Sequence, residues 1–403
     1  MSVYAQYKTL LNSPEVRAFV WAGLVARLAL PMMGIGIITL VVQWRESYAL
    51  AGAVSATFVL TYAVLSPQTS RWVDRKGQGY VLPRITALCV SGGGVLVAGT
   101  WWPLHDSVLF VGAALLGFMP SVSALIRARW TARLVGQPSL QTAYSLETVV
   151  DELSFIVGPP LSVGLSVLAF AQAGVLLALL MLTVGAMALM RQKATEPTVV
   201  AADIAAGHSV LFSAPTVPLL TLLMVAMGVM VGAVDILSVA FAEQQGQPAA
   251  ASVVLSAYAV GSCVAGLVFG ARSFTTPLPT LLAWGGIAIA ASTLPFLWVN
   301  SVLGLSVAVL IAGVCFAPTM IVAMSLVERS LAASHITEGM TWLLAGLNSG
   351  VALGASWSGR LVDDAGASAG MAVLWWAGAA VLMMAVIGTV QLRKQPRLPS
   401  SAC

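Results

Sequence analysis

The sequence predicts an all-α integral membrane protein with twelve transmembrane helices, arranged as two parallel six-helix repeats. Three observations predict it. First, 59% of the 403 residues are hydrophobic and only 8% are charged, 19 basic and 15 acidic, where a soluble domain carries about 25%. Mean hydropathy is +0.93, too high for one compact core inside a solvated surface. Second, the apolar residues fall into long runs of the ~20 residues that cross a ~30 Å hydrocarbon layer as helix. Third, Lys and Arg are distributed unequally between alternate loops. Strands of a barrel would alternate over ~10 residues; these runs do not, and helix is the remaining way to satisfy the backbone in lipid.

The spans follow in order. Span 1 (17–42) has no small-residue cleavage site behind a short core, so it is a permanent helix rather than a signal peptide. It carries Arg27, about ten residues or ~15 Å deep, and Pro31 with Gly34 and Gly36 beyond it. Span 2 (48–70) runs into Asp74, Arg75 and Gly77. Span 3 (82–102) ends in Trp101 and Trp102, suited to an interfacial belt. Span 4 (108–127) contains Gly117 and Pro120 and ends at Arg127 and Arg129, read as positive-inside anchors. Span 5 (145–168) holds three acids, Glu147, Asp151 and Glu152, followed by Gly158, Pro159 and Pro160. Span 6 (173–190) is uncharged. A central loop (191–215) divides an N-terminal half (1–190) from a C-terminal half (216–392), and a tail (393–403) closes the chain. Span 7 (216–241) carries Asp235 near its outer end, where a headgroup-level charge is the simpler reading. Spans 8 (251–271), 9 (280–299) and 10 (302–326, with Pro318) follow. Span 11 (338–360) opens at Glu338 and repeats glycine every fourth residue at Gly346, Gly350 and Gly354, a packing seam. Span 12 (370–391) is uncharged.

With the N-terminus inside, sixteen of the nineteen Lys and Arg fall in inside loops, Arg45 and Arg360 fall outside, and Arg27 lies within a span. That asymmetry orients the chain with both termini cytoplasmic in a plasma (inner) membrane. An internal repeat accompanies it. Span 2 ends in Ser70–Lys76 and span 8 in Gly266–Arg272, at an offset of 196, and Gly117 matches Gly313 at the same offset. Six spans per half keep the second copy parallel to the first, related by an axis along the membrane normal.

Several function classes drop out. No basic stripe sits on a water-exposed fold, so nucleic acid is not a partner. Cys89, Cys263, Cys315 and Cys403 have no metal or disulfide spacing, and His105, His208 and His335 are isolated. No metal or cofactor is expected. There is no nucleotide-binding glycine loop and no catalytic constellation, so the chain is not read as an enzyme.

The loop after span 2, Ser70-Arg71-Trp72-Val73-Asp74-Arg75-Lys76-Gly77-Gln78-Gly79, resembles the Gly-x-x-x-Asp-Arg-x-Gly-Arg-Lys signature of the major facilitator superfamily. Asp74, Arg75 and Gly77 match; Ser70 replaces the first glycine, and Gln78 and Gly79 replace the basic pair. Twelve spans split six and six by a central loop resemble that family across the whole chain. In span 5, Ser154 to Val163 is similar to the Gly-x-x-x-Gly-Pro-x-x-Gly-Gly pattern of its drug–proton antiporter branch at Gly158 and Pro159 only. The resemblance implies a major facilitator fold with spans 1, 4, 7 and 10 around a central cavity and spans 3, 6, 9 and 12 facing lipid.

Charges inside spans are costly and are functional candidates. Arg27, Glu147, Asp151, Glu152 and Asp235 are therefore candidates for proton or substrate coupling. Glu147 and Asp151 are four apart on one helix face, where two carboxylates tend to retain a proton between them. The alternative is a structural ion pair joining spans 1 and 5. Asp74, Arg75 and Gly77 suit a conformational latch made in one state and broken in another. Pro31, Pro120, Gly158, Pro159 and Pro318 suit bending and close packing. The expectation is a secondary transporter working by alternating access, driven by a proton gradient, exporting a small, mostly apolar compound. Proton-coupled uptake and a transport-inactive sensor or scaffold are the rival readings.

Overall fold

The computed structural model describes residues 10–102, 104–134, 137, 139–197, 216–270, 275–331 and 336–394. Most of the central loop, the tail beyond residue 394 and Arg272 lie outside the described residues, as do the side chains of Glu152 and Glu338. All regular structure among the described residues is helical.

The chain divides into two compact units. The first comprises residues 1–205 with 239–256, the second 206–238 with 257–403. The N-terminal part of the first unit contains α1 (Pro14–Arg27), α2 (Ala29–Arg45), α3 (Tyr48–Lys76), α4 (Gln78–Trp101), α5 (Ser107–Leu116), α6 (Val122–Leu134), α7 (Ser139–Leu168) and α8 (Ala173–Arg191). Next come α9 (Thr216–Gln244) and α10 (Ala251–Gly270), each shared between the units. The second unit continues with α11 (Leu278–Ser292), α12 (Val302–Ser330), α13 (Ile336–Ala365), the short α14 (Ala367–Gly370) and α15 (Ala372–Lys394).

Among the described residues, ten helical stretches are long and apolar enough to cross a membrane, against the twelve expected. The two differences have physical causes. Span 4 is not one helix: α5 stops at Leu116, and residues 117–121 belong to neither helix before α6 begins. Gly117 and Pro120 flank that interruption, and proline cannot donate to the ladder. Span 11 corresponds to α13, whose thirty residues include Asn348, Arg360, Asp363 and Asp364, which dilute its apolar character. The only break between α3 and α4 is Gly77, at φ +85°, a conformation costly for any residue with a Cβ.

In the first unit, Phe19, Met32, Met33, Leu82, Leu96, Leu116 and Trp130 are fully buried. Leu180 and Val184 on α8 are exposed, as are Trp284 and Ile287 on α11 and Met383 and Val386 on α15. These outward apolar faces suit contact with lipid tails rather than water. In the second unit, α9 and α13 meet backbone to backbone. A Cβ at Gly228 would stand 2.9 Å from Gly350 Cα, and one at Gly232 would stand 2.7 Å from the Ala355 nitrogen. Glycines on both helices recur every fourth residue, which is what close helix approach in lipid requires.

Candidate functional site

The site begins with a proline. Pro31 has no N–H to give to the carbonyl four residues earlier, and its ring crowds that carbonyl. The residue four earlier is Arg27. There α1 ends, Leu28 keeps right-handed helical angles (φ −58°, ψ −25°), and α2 begins. The span bends without unravelling. Gly158 of α7 faces the bend, where a Cβ would lie 2.9 Å from Pro31 Cγ, and the Ser162 hydroxyl donates to the Met32 carbonyl at 3.0 Å. Glu147, Asp151, Ser154, Gly158 and Ser162 recur at three- and four-residue steps, so one face of α7 meets the bend.

Arg27 therefore meets both acids. Its side chain is 4% exposed and forms an ion pair with Glu147 Oε2, and its second terminal nitrogen lies 3.1 Å from Asp151 Oδ1. The two carboxylates differ sharply. Glu147 is 1% exposed, and its other oxygen accepts from the indole N–H of Trp130 at 2.9 Å. Trp130 in turn packs edge-on against Phe19, ring centroids 4.9 Å apart. Glu147 is sealed. Asp151 is 25% exposed, accepts from the Ser123 hydroxyl at 2.5 Å, and pairs with Arg127 at 3.0 Å.

The interruption of span 4 builds this second environment. It brings Ser123, in the first turn of α6, against Asp151, and a helix N-terminus favours an anion. Arg27, Pro31, Tyr62, Pro120, Ser123 and Asp151 border a small cavity of about 40 Å³, polar enough and large enough to hold water. Asp151 faces it; the sealed Glu147 does not.

A second cluster lies at the other end of α6. Arg129 is 2% exposed and donates to Gln78 Oε1 (2.9 Å), the Leu189 carbonyl (3.0 Å), the Gln192 carbonyl (3.0 Å) and the Thr195 hydroxyl (2.6 Å). Glu196 accepts from the Gly79 N–H at 2.6 Å, at the start of α4. One arginine thus joins α4, α6 and the end of α8.

Among the sequence candidates, Arg27, Glu147 and Asp151 come together; Asp235 is on α9, within the second unit. Asp74 and Arg75 are exposed at the end of α3 and form no ion pair among the described residues. Pro120 lies in the interruption, while Pro159 and Pro318 sit inside the continuous helices α7 and α12. The roles of Ser123, Trp130, Tyr62 and Gln78 were not visible in sequence. Arg129, read as an anchor, is instead a buried clasp. Its arginine-x-arginine spacing with Arg127 was visible, but nothing in that spacing separates a buried guanidinium from an exposed one.

Residues 18–271 match the family model described as Major Facilitator Superfamily. No curated protein matches the chain. Among solved structures, a variant of the nucleoside transporter NupG superposes with a TM-score of 0.71 at 14% identity, covering 93% of this chain and 99% of its own. The peptide transporter POT gives 0.69 at 14% identity, covering 94% of each chain. A bacterial homologue of the iron transporter ferroportin in its inward-facing state gives 0.69 at 16% identity, covering 94% and 98%.

Proposed function

The chain belongs to the major facilitator superfamily, and from that premise we propose that it is a secondary transporter working by alternating access, with Asp151 as its proton-coupling group. Its twelve membrane passes form two parallel six-helix repeats, with α5–α6 as the fourth pass and α13 as the eleventh. Both termini are cytoplasmic, as the sixteen-to-two division of Lys and Arg supports. The solved structures of similar fold are a nucleoside transporter, a peptide transporter and a bacterial homologue of an iron transporter, and fold alone does not choose among cargoes. Export of a small, mostly apolar compound suits the apolar composition of the spans.

One observation carries the coupling assignment: of two acids sharing Arg27, one is sealed and the other borders a hydrated-size cavity. Glu147 neutralises Arg27 permanently. Asp151 is reachable by a proton. Protonating it removes the charge that attracts Arg127 and weakens the hold of α7 on α6, since charge-assisted hydrogen bonds are the stronger class. A ligand or proton that favours one arrangement shifts the two-state balance by its differential affinity. In this mechanism α6 is the element released, because its first turn supplies Ser123 and its second supplies Arg127.

The test is transport of a compound panel, neutral and cationic, in proteoliposomes with and without an imposed pH gradient. At least one compound is expected to accumulate against its own gradient only when protons run the other way. A panel that moves equally with and without the gradient overturns the coupling. Orientation has its own check: cysteines replacing His105 and Asp364 are expected to label from outside intact cells, while those replacing Lys76 and Lys193 stay unlabelled. External labelling at position 76 reverses the topology.

A further inference from the structure

Four cations crowd the turn between α3 and α4. Arg71, Arg75, Lys76 and Arg84 are all exposed, and none forms an ion pair among the described residues. Of the acids beside the turn, Asp74 is exposed and unpaired among the described residues, and Glu196 accepts from the Gly79 N–H. Gly77 alone separates the two helices, so the last residue of α3 meets the first turn of α4. Lys76 Nζ lies 5.3 Å from the centroid of the Tyr80 ring, and the Arg84 guanidinium carbon lies 3.6 Å from the same centroid. Arg84 also donates to the Tyr80 carbonyl. An aromatic face attracts a cation through its quadrupole but carries no net charge. Two like charges are thus gathered on one exposed ring with no described ion-pair partner to neutralise them.

The helix leading to this patch records its depth. Leu60, Val64, Gln68, Trp72 and Arg75 recur at four- and three-residue steps along one face of α3, and all five are exposed. Their order is two apolar side chains, an amide, an indole and a guanidinium, over ~22 Å of helix. That is the order of environments met in passing from hydrocarbon through headgroups to water. Trp72 is 37% exposed and Tyr80 43%, as suits amphipathic rings at headgroup level. The paired cations therefore sit where the phosphates of a bilayer lie.

We propose that Lys76 and Arg84, gathered by Tyr80, bind the phosphate of an anionic phospholipid headgroup. Phosphate oxygens accept the charge-assisted hydrogen bonds that an ammonium and a guanidinium donate, and the phosphate charge is the counter-ion the patch lacks. Depth selects the source. A free phosphate gains nothing from the exposed Leu60 and Val64, whereas the tails of a lipid cover them. Net charge selects the class. A choline headgroup brings its own cation to a turn that already holds four, while a glycerol headgroup leaves the phosphate charge uncancelled. Tyr80 is a positioning residue, because its ring holds both cations and its hydroxyl is not required. The assignment needs only a membrane-spanning chain, so it stands apart from the proton coupling.

The test titrates the purified full chain in neutral detergent with phosphatidylglycerol and phosphatidylcholine of identical tails, counting bound lipid by native mass spectrometry. The first phosphatidylglycerol is expected to bind about tenfold or more tighter than the first phosphatidylcholine. Lys76→Gln and Arg84→Gln are each expected to lower that preference about fivefold, the worth of one basic residue at an anionic surface. Arg329→Gln removes an exposed cation of the second unit and is expected to leave the preference unchanged. Tyr80→Phe keeps the ring and the preference, whereas Tyr80→Ala lowers it. Should Tyr80→Ala fail to fold, the two glutamine variants decide. Inorganic phosphate at millimolar concentration is expected not to displace the lipid; displacement by it makes this a free-phosphate site and overturns the lipid assignment. Equal binding of the two lipids overturns the proposal, as does a loss in Arg329→Gln as large as that in Arg84→Gln.

Discussion

Replacing Arg27 with methionine is expected to cost about 3–5 kcal/mol of stability, the range for removing one partner of a buried ion pair, and to abolish transport. The loss falls on Glu147. Its side chain is 1% exposed and keeps only the Trp130 N–H as a partner, which cannot balance a buried negative charge. Asp151 suffers less, because Arg127 and Ser123 remain. A double change, Arg27→Met with Glu147→Gln, removes cation and anion together and is expected to recover much of the melting temperature without restoring transport. Scanning fluorimetry on purified protein checks both. A single variant that melts with the native protein would show that the pair contributes nothing to folding.

Substituting Gly350 with leucine is expected to leave no monodisperse protein, and even Gly350→Ala costs about 1–3 kcal/mol, as overpacking of a filled contact does. The atoms in the way are backbone. A Cβ there would press on the Val225 carbonyl oxygen and stand 2.9 Å from Gly228 Cα, so α9 and α13 must separate. Neither can yield by turning a side chain. Gly164 on α7 is the control, since a Cβ there meets nothing within 4 Å, and Gly164→Ala is expected to behave as the native protein. Equal melting of Gly350→Ala and Gly164→Ala would mean that the two helices are not in backbone contact.

Most spans were legible because an apolar run of helical length has few other destinations. The fourth was legible as an apolar run with a bend expected at Pro120; the extent of the interruption was not, because Leu115-Leu116-Gly117-Phe118-Met119-Pro120 is apolar throughout and hydropathy carries no mark of where a helix stops. The seam of α13 was legible as glycine every fourth residue. The glycines it meets, Gly228 and Gly232, share that period, but a pairing between distant helices leaves no local signature. Arg27 with Glu147 and Asp151 could be foreseen from the cost of charge in lipid. What separates the two acids could not. It depends on Trp130 closing over one and Ser123 reaching the other, both carried by α6 beyond the interruption of span 4. Arg129 was misjudged because a guanidinium near a helix end reads the same whether it anchors a headgroup or binds two carbonyls and two side chains. The loop signature located Gly77 at a turn that needs positive φ, while its Asp74 remains exposed and unpaired among the described residues.

The most direct test of Asp151 as the coupling group is transport by Asp151→Asn in proteoliposomes, measured as gradient-driven accumulation and as substrate exchange at equal pH on both sides. Asparagine keeps the shape and accepts from Ser123 but cannot carry the charge that changes on protonation. Accumulation is expected to vanish while exchange persists, and Glu147→Gln is expected to lower folded yield rather than separate the two activities. Native proton-driven accumulation by Asp151→Asn would contradict the assignment.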